Sequence, residues 1–197
     1  MTDESRIGQM ATRLYNTAMN AGMSGPDAGV LVDCYRFAID RRGRVFADPH
    51  HPDLLHPARS ALILMDDMSV RDRACLAAAI LHDSERADLD SNVRDVERLA
   101  GLEAARLTAQ FPPPGLDLHD LMEQLVVCEP DALAATLAER LDHVRHLHFG
   151  PHDRWRTAHR RAVEVLLPVA RRCHPRLAQR YQAWCDAFAR RLRDRSD

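Results

Sequence analysis

Nowhere along its 197 residues does the chain alternate apolar and polar residues with a period of two, the mark of a half-buried strand. Apolar residues recur instead at steps of three and four, the period of a helix with one buried face. Ile7, Met10, Leu14, Ala18 and Met19 form one such stripe, and Val30, Leu31, Cys34, Phe37 and Ala38 form a second, which opens at Asp27 and runs to about Arg41. Gly22 and Ser24-Gly25-Pro26 separate the two, and the basic loop RRGRVFADPHHP, Arg41 to Pro52, follows the second. The reading is an all-α bundle of roughly eight to ten helices forming a single domain over 1–197.

The remaining helices follow from the same period. Asp53 is expected to cap a helix carrying Leu54, Leu55, Ala58, Ala61, Leu62 and Met65, with His56 in its first turn just ahead of Pro57. Ser69 is expected to cap the next, in which Ala74, Ala77, Ala78 and Leu81 make a face small enough for close packing before the chain reaches His82 and Asp83. Gly101 divides Asn92 to Ala100 from Leu102 to Gln110, and Phe111-Pro112-Pro113-Pro114-Gly115 then breaks the pattern until Leu116 to Val127. Leu133, Leu137, Leu141, Val144 and Leu147 mark a helix whose other faces bear Glu139, Asp142, His143 and His146. Two long helices end the chain, Arg154 to Cys173, with a kink expected at Pro168, and Pro175 to Arg193.

Charge narrows the function classes. With 27 basic against 29 acidic residues the chain lacks the positive field of a nucleic-acid binder, and all 27 bases are arginine. Five cysteines without a C-x-x-C spacing read as reduced core residues. No basic-then-apolar leader opens the chain, and no apolar run nears the roughly 20 residues needed to span a bilayer. The expectation is a soluble, cytoplasmic protein with neither nucleic acid nor membrane as partner, its self-association left open.

An apolar helix that ends in His82-Asp83 puts two potential metal ligands together. His56, early in one helix, and Glu139, inside a later one, supply the others if the bundle brings them together. Two imidazoles with two carboxylates suit Mn²⁺, Fe²⁺ or Mg²⁺, with Zn²⁺ also compatible. Such an ion acidifies bound water and offsets charge building on a phosphoryl group, the two needs of phosphoester hydrolysis. Eleven histidines make chance combinations common. The bland readings are a hydrogen-bonded helix end for His82-Asp83, simple packing at a helix start for His56, and an ion pair with Arg140 or Arg145 for Glu139.

The stretch HPARSALILMDDMSVRDRACLAAAILHD resembles the opening of the HD-domain phosphohydrolases, most of all the hydrolase domain of the RelA/SpoT family and the small alarmone hydrolases. LAERLDHVRHL (137–147) is similar to that family's Leu-Ala-Asp-Arg-Leu-His-Asn-x-Arg-x-Leu, and AHRRAVEVLLPVARR (158–172) to the helix after it, so that the resemblance covers residues 34 to 188. It implies an HD-type helical bundle in which Mn²⁺ is held by His56, His82, Asp83 and Glu139. Glu139 stands where the family has aspartate, with Asp142 the alternative fourth ligand. It also implies that Arg42 contacts the base or phosphate of a nucleotide from the loop, and that His143, in place of an asparagine, lines the pocket. The implied activity is removal of 3′-pyrophosphate from an alarmone such as ppGpp.

The chain departs from that pattern just after His-Asp. The family's Glu-Asp pair, whose glutamate helps activate water, is replaced by Arg86 and Ala87, which leaves Glu85 as the candidate catalytic acid; the family's pocket tyrosine falls at Leu166. On a continuing helix a one-residue offset turns a side chain by about 100°. Glu85 therefore serves only if the helix has ended. A non-catalytic HD module that binds a nucleotide or a protein, and a 5′-nucleotidase built on the same metal site, are the competing readings.

Overall fold

The structure, a computed structural model, describes residues 3–48, 50–149 and 151–193. Its helices α1 (Asp3–Asn20) and α2 (Gly25–Val45) are joined by a turn in which Gly22 takes a φ of 89°, a conformation that favours glycine. Ser24 caps α2 by accepting the Asp27 N–H. Helix α2 runs on to Val45, past the expected end at Arg41, because Arg42 turns into the core and the Phe46 N–H closes on its carbonyl at 2.8 Å. Part of the expected basic loop is thus helix, and Pro49 within it lies outside the described residues.

Two expected caps are corrected. His51 caps a short 3₁₀ turn, Pro52–Leu54, that contains Asp53, and α3 (His56–Met68) begins only afterwards. Ser69 ends α3 in a left-handed conformation, φ 58°, and Asp72 caps α4 (Arg73–Leu81) by accepting the Cys75 N–H at 2.8 Å. Asp72 wins because a carboxylate three residues ahead of a free N–H reaches it directly.

Every residue of α4 from Ala74 to Leu81 is buried, and the helix packs against α2, α3, α5 (Val93–Ala100), α6 (Leu102–Thr108) and α8 (Pro130–His146). Its alanines let several neighbours approach at once, so α4 acts as the axis of the bundle. Between α6 and α8 lies α7 (Leu118–Val127), capped by Asp117.

Helix α9 is continuous in three parts: Asp153–Arg161, a π-turn at Ala162–Leu166, and Leu167–Cys173. In the π-turn the Leu167 N–H reaches back five residues to the Ala162 carbonyl. Pro168 has no N–H to give, and the expected kink is accommodated as this wider turn. The last helix, α10 (Pro175–Arg193), is tied to α8 by the buried Tyr181 hydroxyl, which donates to the Leu137 carbonyl at 2.7 Å, and to α3 by Arg180 on Asp67.

Among the described residues there are ten helices and no strand, as the sequence pattern predicts. None of these helices is long and apolar enough to cross a membrane. All five cysteines are free.

Candidate metal centre

The first turn of α3, the residues that follow α4, and the middle of α8 meet in one buried region. His56, His82, Asp83 and Glu139 are all at most 1% exposed. Their shared burial is a packing result: α3 and α8 lie side by side, and α4 ends against them.

His56 is held by its Nδ1, 2.9 Å from the Asp142 carboxylate, which also accepts from Arg59 Nε at 2.9 Å. His82 is held in the same way, its Nδ1 3.0 Å from Asp90 Oδ1, an oxygen that also accepts the Asp83 N–H. An imidazole that gives its Nδ1 proton to a carboxylate presents a bare lone pair at Nε2, the arrangement typical of metal-binding histidines. Both Nε2 atoms are buried and have no hydrogen-bond partner, and so is Glu139 Oε2.

Glu139 Oε1 accepts the Ser84 N–H at 2.9 Å, with His56 Nε2 3.3 Å away. His143, one turn further along α8, stacks on His56 with ring centroids 3.9 Å apart. Its Nε2 lies 2.8 Å from Glu139 Oε1 without the alignment of a hydrogen bond, so charge is what draws the two together. One atom each from His56, Glu139 and His143 falls within 4.8 Å of the others, a set able to hold a metal ion. His82 and Asp83 stand outside that set.

Asp83 is occupied otherwise than expected. Its Oδ2 accepts from Arg42 Nη2 at 2.6 Å, and its Oδ1 accepts the N–H groups of Glu85 and Arg86 at 3.0 and 2.9 Å. A carboxylate at a helix C-terminus meets the negative end of the dipole, and Arg42 offsets this. The expected loop position of Arg42 is therefore corrected: it is a helical residue, fully buried, with its Nη2 on Asp83. Arg140, a suggested partner of Glu139, turns instead to the Pro112 carbonyl at 3.4 Å.

The charges balance internally. Burial works to raise the Glu139 carboxyl, and the His143 charge, with help from His56, overrides it and leaves Glu139 well below the usual carboxylate range. Burial likewise works to lower His143, and the Glu139 charge, with Asp83 beside it, holds the imidazole protonated far above its ordinary value. Without an ion, the His143 proton supplies the positive charge that the carboxylates demand.

The centre opens into a cleft of about 630 Å³ whose walls include Phe46, Asp83, Glu85, His143, Arg154 and Arg161. Because α4 stops at Leu81 and His82 is extended, Glu85 sits in a loop, exposed at the cleft, and the one-residue offset carries no helical rotation. Nearby, His146 is half-buried with Nδ1 2.8 Å from the Asp142 carbonyl, and farther off His159 has Nε2 3.0 Å from the Cys185 carbonyl.

Asp90 as the partner of His82 is absent from the sequence reading, and Asp142 enters it only as an alternative ligand. Asp142 was within reach of a pattern argument, since residues 139, 142, 143 and 146 share one face of α8 at steps of three and four. Compared with models of known protein families the chain matches none, and it matches no curated protein sequence.

Proposed function

We propose that the protein is a divalent-metal phosphohydrolase of the HD type acting on a nucleotide, with an alarmone carrying a 3′-pyrophosphate as the substrate class. One observation carries the reading. Two imidazoles, His56 and His82, are each fixed at Nδ1 by an aspartate and keep a buried, unpartnered Nε2, with a buried Glu139 carboxylate 3.3 Å from the first. Leaving several buried polar atoms unsatisfied costs about 1–3 kcal/mol each. A cation seated between His56 Nε2 and the Glu139 carboxylate satisfies these two sites at once.

A bound divalent ion, Mn²⁺ in the family this chain resembles, lowers the pKa of water and neutralises phosphoryl oxygens. The chain's own groups do the rest. Asp142 and Asp90 fix the imidazoles in the tautomer that binds metal, and Arg154 and Arg161 on the cleft wall face the negative charge of phosphates. Glu85, exposed at the cleft, is the acid left to take a proton from water, and its N–H on Asp83 fixes its backbone. The cleft volume is that of a small-molecule site.

A second reading, a nucleotide-binding module without turnover, draws on Arg86, which occupies the place of an acid and is held by Asp88 at 2.6 Å. Incubating the Mn²⁺-loaded protein with ppGpp and a panel of nucleoside monophosphates separates the two, with His82→Ala as control. Release of pyrophosphate from ppGpp, abolished in the control, is expected. Turnover of nucleoside monophosphates alone points to a 5′-nucleotidase. Metal binding with no turnover of any substrate overturns the enzyme and leaves the module.

A further inference from the structure

Granting the metal centre of the preceding section, we propose that His143 is a direct ligand of the ion and that Asp83 is not, so that the inner set is two imidazoles and one carboxylate, which selects an ion of the zinc or iron(II) class.

Donor spacing supports His143. An ion that binds nitrogen and oxygen at about 2.0–2.2 Å sets neighbouring donors roughly 3.0–3.5 Å apart, for angles between 90° and the tetrahedral value. Glu139 Oε1 lies 2.8 Å from His143 Nε2 and 3.3 Å from His56 Nε2. Neither contact is aligned as a hydrogen bond, and both Nε2 atoms are buried without a partner. These donor atoms, close together without an aligned hydrogen bond, lie within reach of one shared ion, the 2.8 Å pair a little tighter than that spacing.

Hydrogen bonding removes Asp83 from the inner set. Oδ1 already takes two backbone N–H groups, and Oδ2 takes the buried Arg42 guanidinium at 2.6 Å. Its Oδ1 is 3.6 Å from His143 Nε2, longer than either spacing inside the set. To ligate, Asp83 would have to share Oδ2 between the ion and a fully buried arginine that has no other hydrogen-bonded partner for its Nε and Nη1, which weakens it as a donor. Asp83 is thus a positioning residue: it shapes the turn after α4 and sets Ser84, whose N–H holds Glu139.

His56, Glu139 and His143 together form the two-imidazole, one-carboxylate set of many catalytic zinc and iron(II) centres, which leaves coordination positions open. Exchanging a carboxylate for an imidazole moves preference away from Mg²⁺ and Mn²⁺.

The test uses chelator-stripped full-length protein. Affinities for Zn²⁺, Co²⁺ and Mn²⁺ are measured by competition with a chromophoric chelator for wild type, His143→Asn and Asp83→Asn. His143→Asn is expected to lose about 100-fold or more in Zn²⁺ and Co²⁺ affinity and under ~10-fold in Mn²⁺, with Asp83→Asn within ~10-fold throughout. In the Co²⁺ form, proton NMR should show one fewer hyperfine-shifted imidazole signal in His143→Asn, a readout that stands even where Asp83→Asn does not fold. An unchanged signal set, or His143→Asn within about two-fold of wild type, overturns the inference and leaves the metal centre standing. A larger loss in Asp83→Asn than in His143→Asn, with both folded, also overturns it. Wild type that binds no divalent ion overturns the metal centre itself.

Discussion

Arg42 and Asp83 meet at 2.6 Å with neither side chain reached by solvent. The pair joins α2 to the turn after α4, and the rest of the guanidinium has no hydrogen-bond partner. Removing one partner from such a pair strands the other charge in the interior, which costs about 3–5 kcal/mol. Arg42→Met should therefore lower the unfolding free energy by that amount in urea titrations of metal-free protein. A loss under about 1 kcal/mol would mean that Asp83 escapes to solvent.

Asp142 holds His56 at Nδ1. Asp142→Asn keeps the shape but lets the amide donate to Nδ1, which moves the ring proton to Nε2 and removes the lone pair from the centre. Metal affinity should fall about 10–100-fold while the helical circular dichroism stays unchanged. Chelator competition reads the affinity.

The acid side of the stability profile follows from three carboxylates. Burial works to raise Asp83, Glu139 and Asp142, and it is outweighed by His143 at the first two and by His56 and Arg59 at the third, so all three lie below their usual range. Groups depressed on folding contribute stability that is complete above their unfolded values, about pH 4, and is lost as pH falls further toward the folded values. His143 has the opposite sign: its raised folded value contributes below its ordinary value of about 6.5 and is lost as pH rises through the folded one. Melting temperatures of the metal-free protein should fall steeply below about pH 4. His143→Asn should flatten the alkaline decline, and an unaltered decline would assign it to other groups.

Ala78 is fully buried on α4, among helices on several sides. Ala78→Leu inserts three carbons where no space is left, and overpacking of this kind costs about 1–3 kcal/mol. Thermal unfolding should show the loss, and unchanged stability would reveal slack at the axis of the bundle.

Glu85→Gln removes the one acid proposed to take a proton from water. Turnover should drop about 100-fold or more, with KM nearly constant. Equal turnover in the variant would shift that role to another group.

The fold was legible because helical period is written into local sequence and ten helices need nothing else to be counted. The limits of the helices were less so. Gly43 among arginines reads as loop, and only the burial of Arg42 against Asp83, 41 residues away, makes it helix. His56, His82, Asp83 and Glu139 could be selected from the order of motifs; the structure buries all four, and of these it brings His56 and Glu139, joined by His143, within ligand reach of one another. His143 lies one turn after Glu139 on the same face of α8, a spacing visible in sequence, but its approach to His56 depends on how α3 and α8 cross. Asp90 was invisible, because it reaches His82 only after the loop has folded back and the Ser91 N–H has met the Leu81 carbonyl at 3.1 Å.

The π-turn at Ala162–Leu166 works as a phase shifter. One extra residue in a helical turn rotates everything before it by about 100° relative to everything after. Arg161 and Arg154 lie before the insertion and line the cleft, while Val169 and Ala170 lie after it and are buried. A regular helix could not serve both halves with this sequence. Deleting a single residue between 162 and 166 would keep α9 helical and its core half packed, yet swing both arginines off the cleft wall.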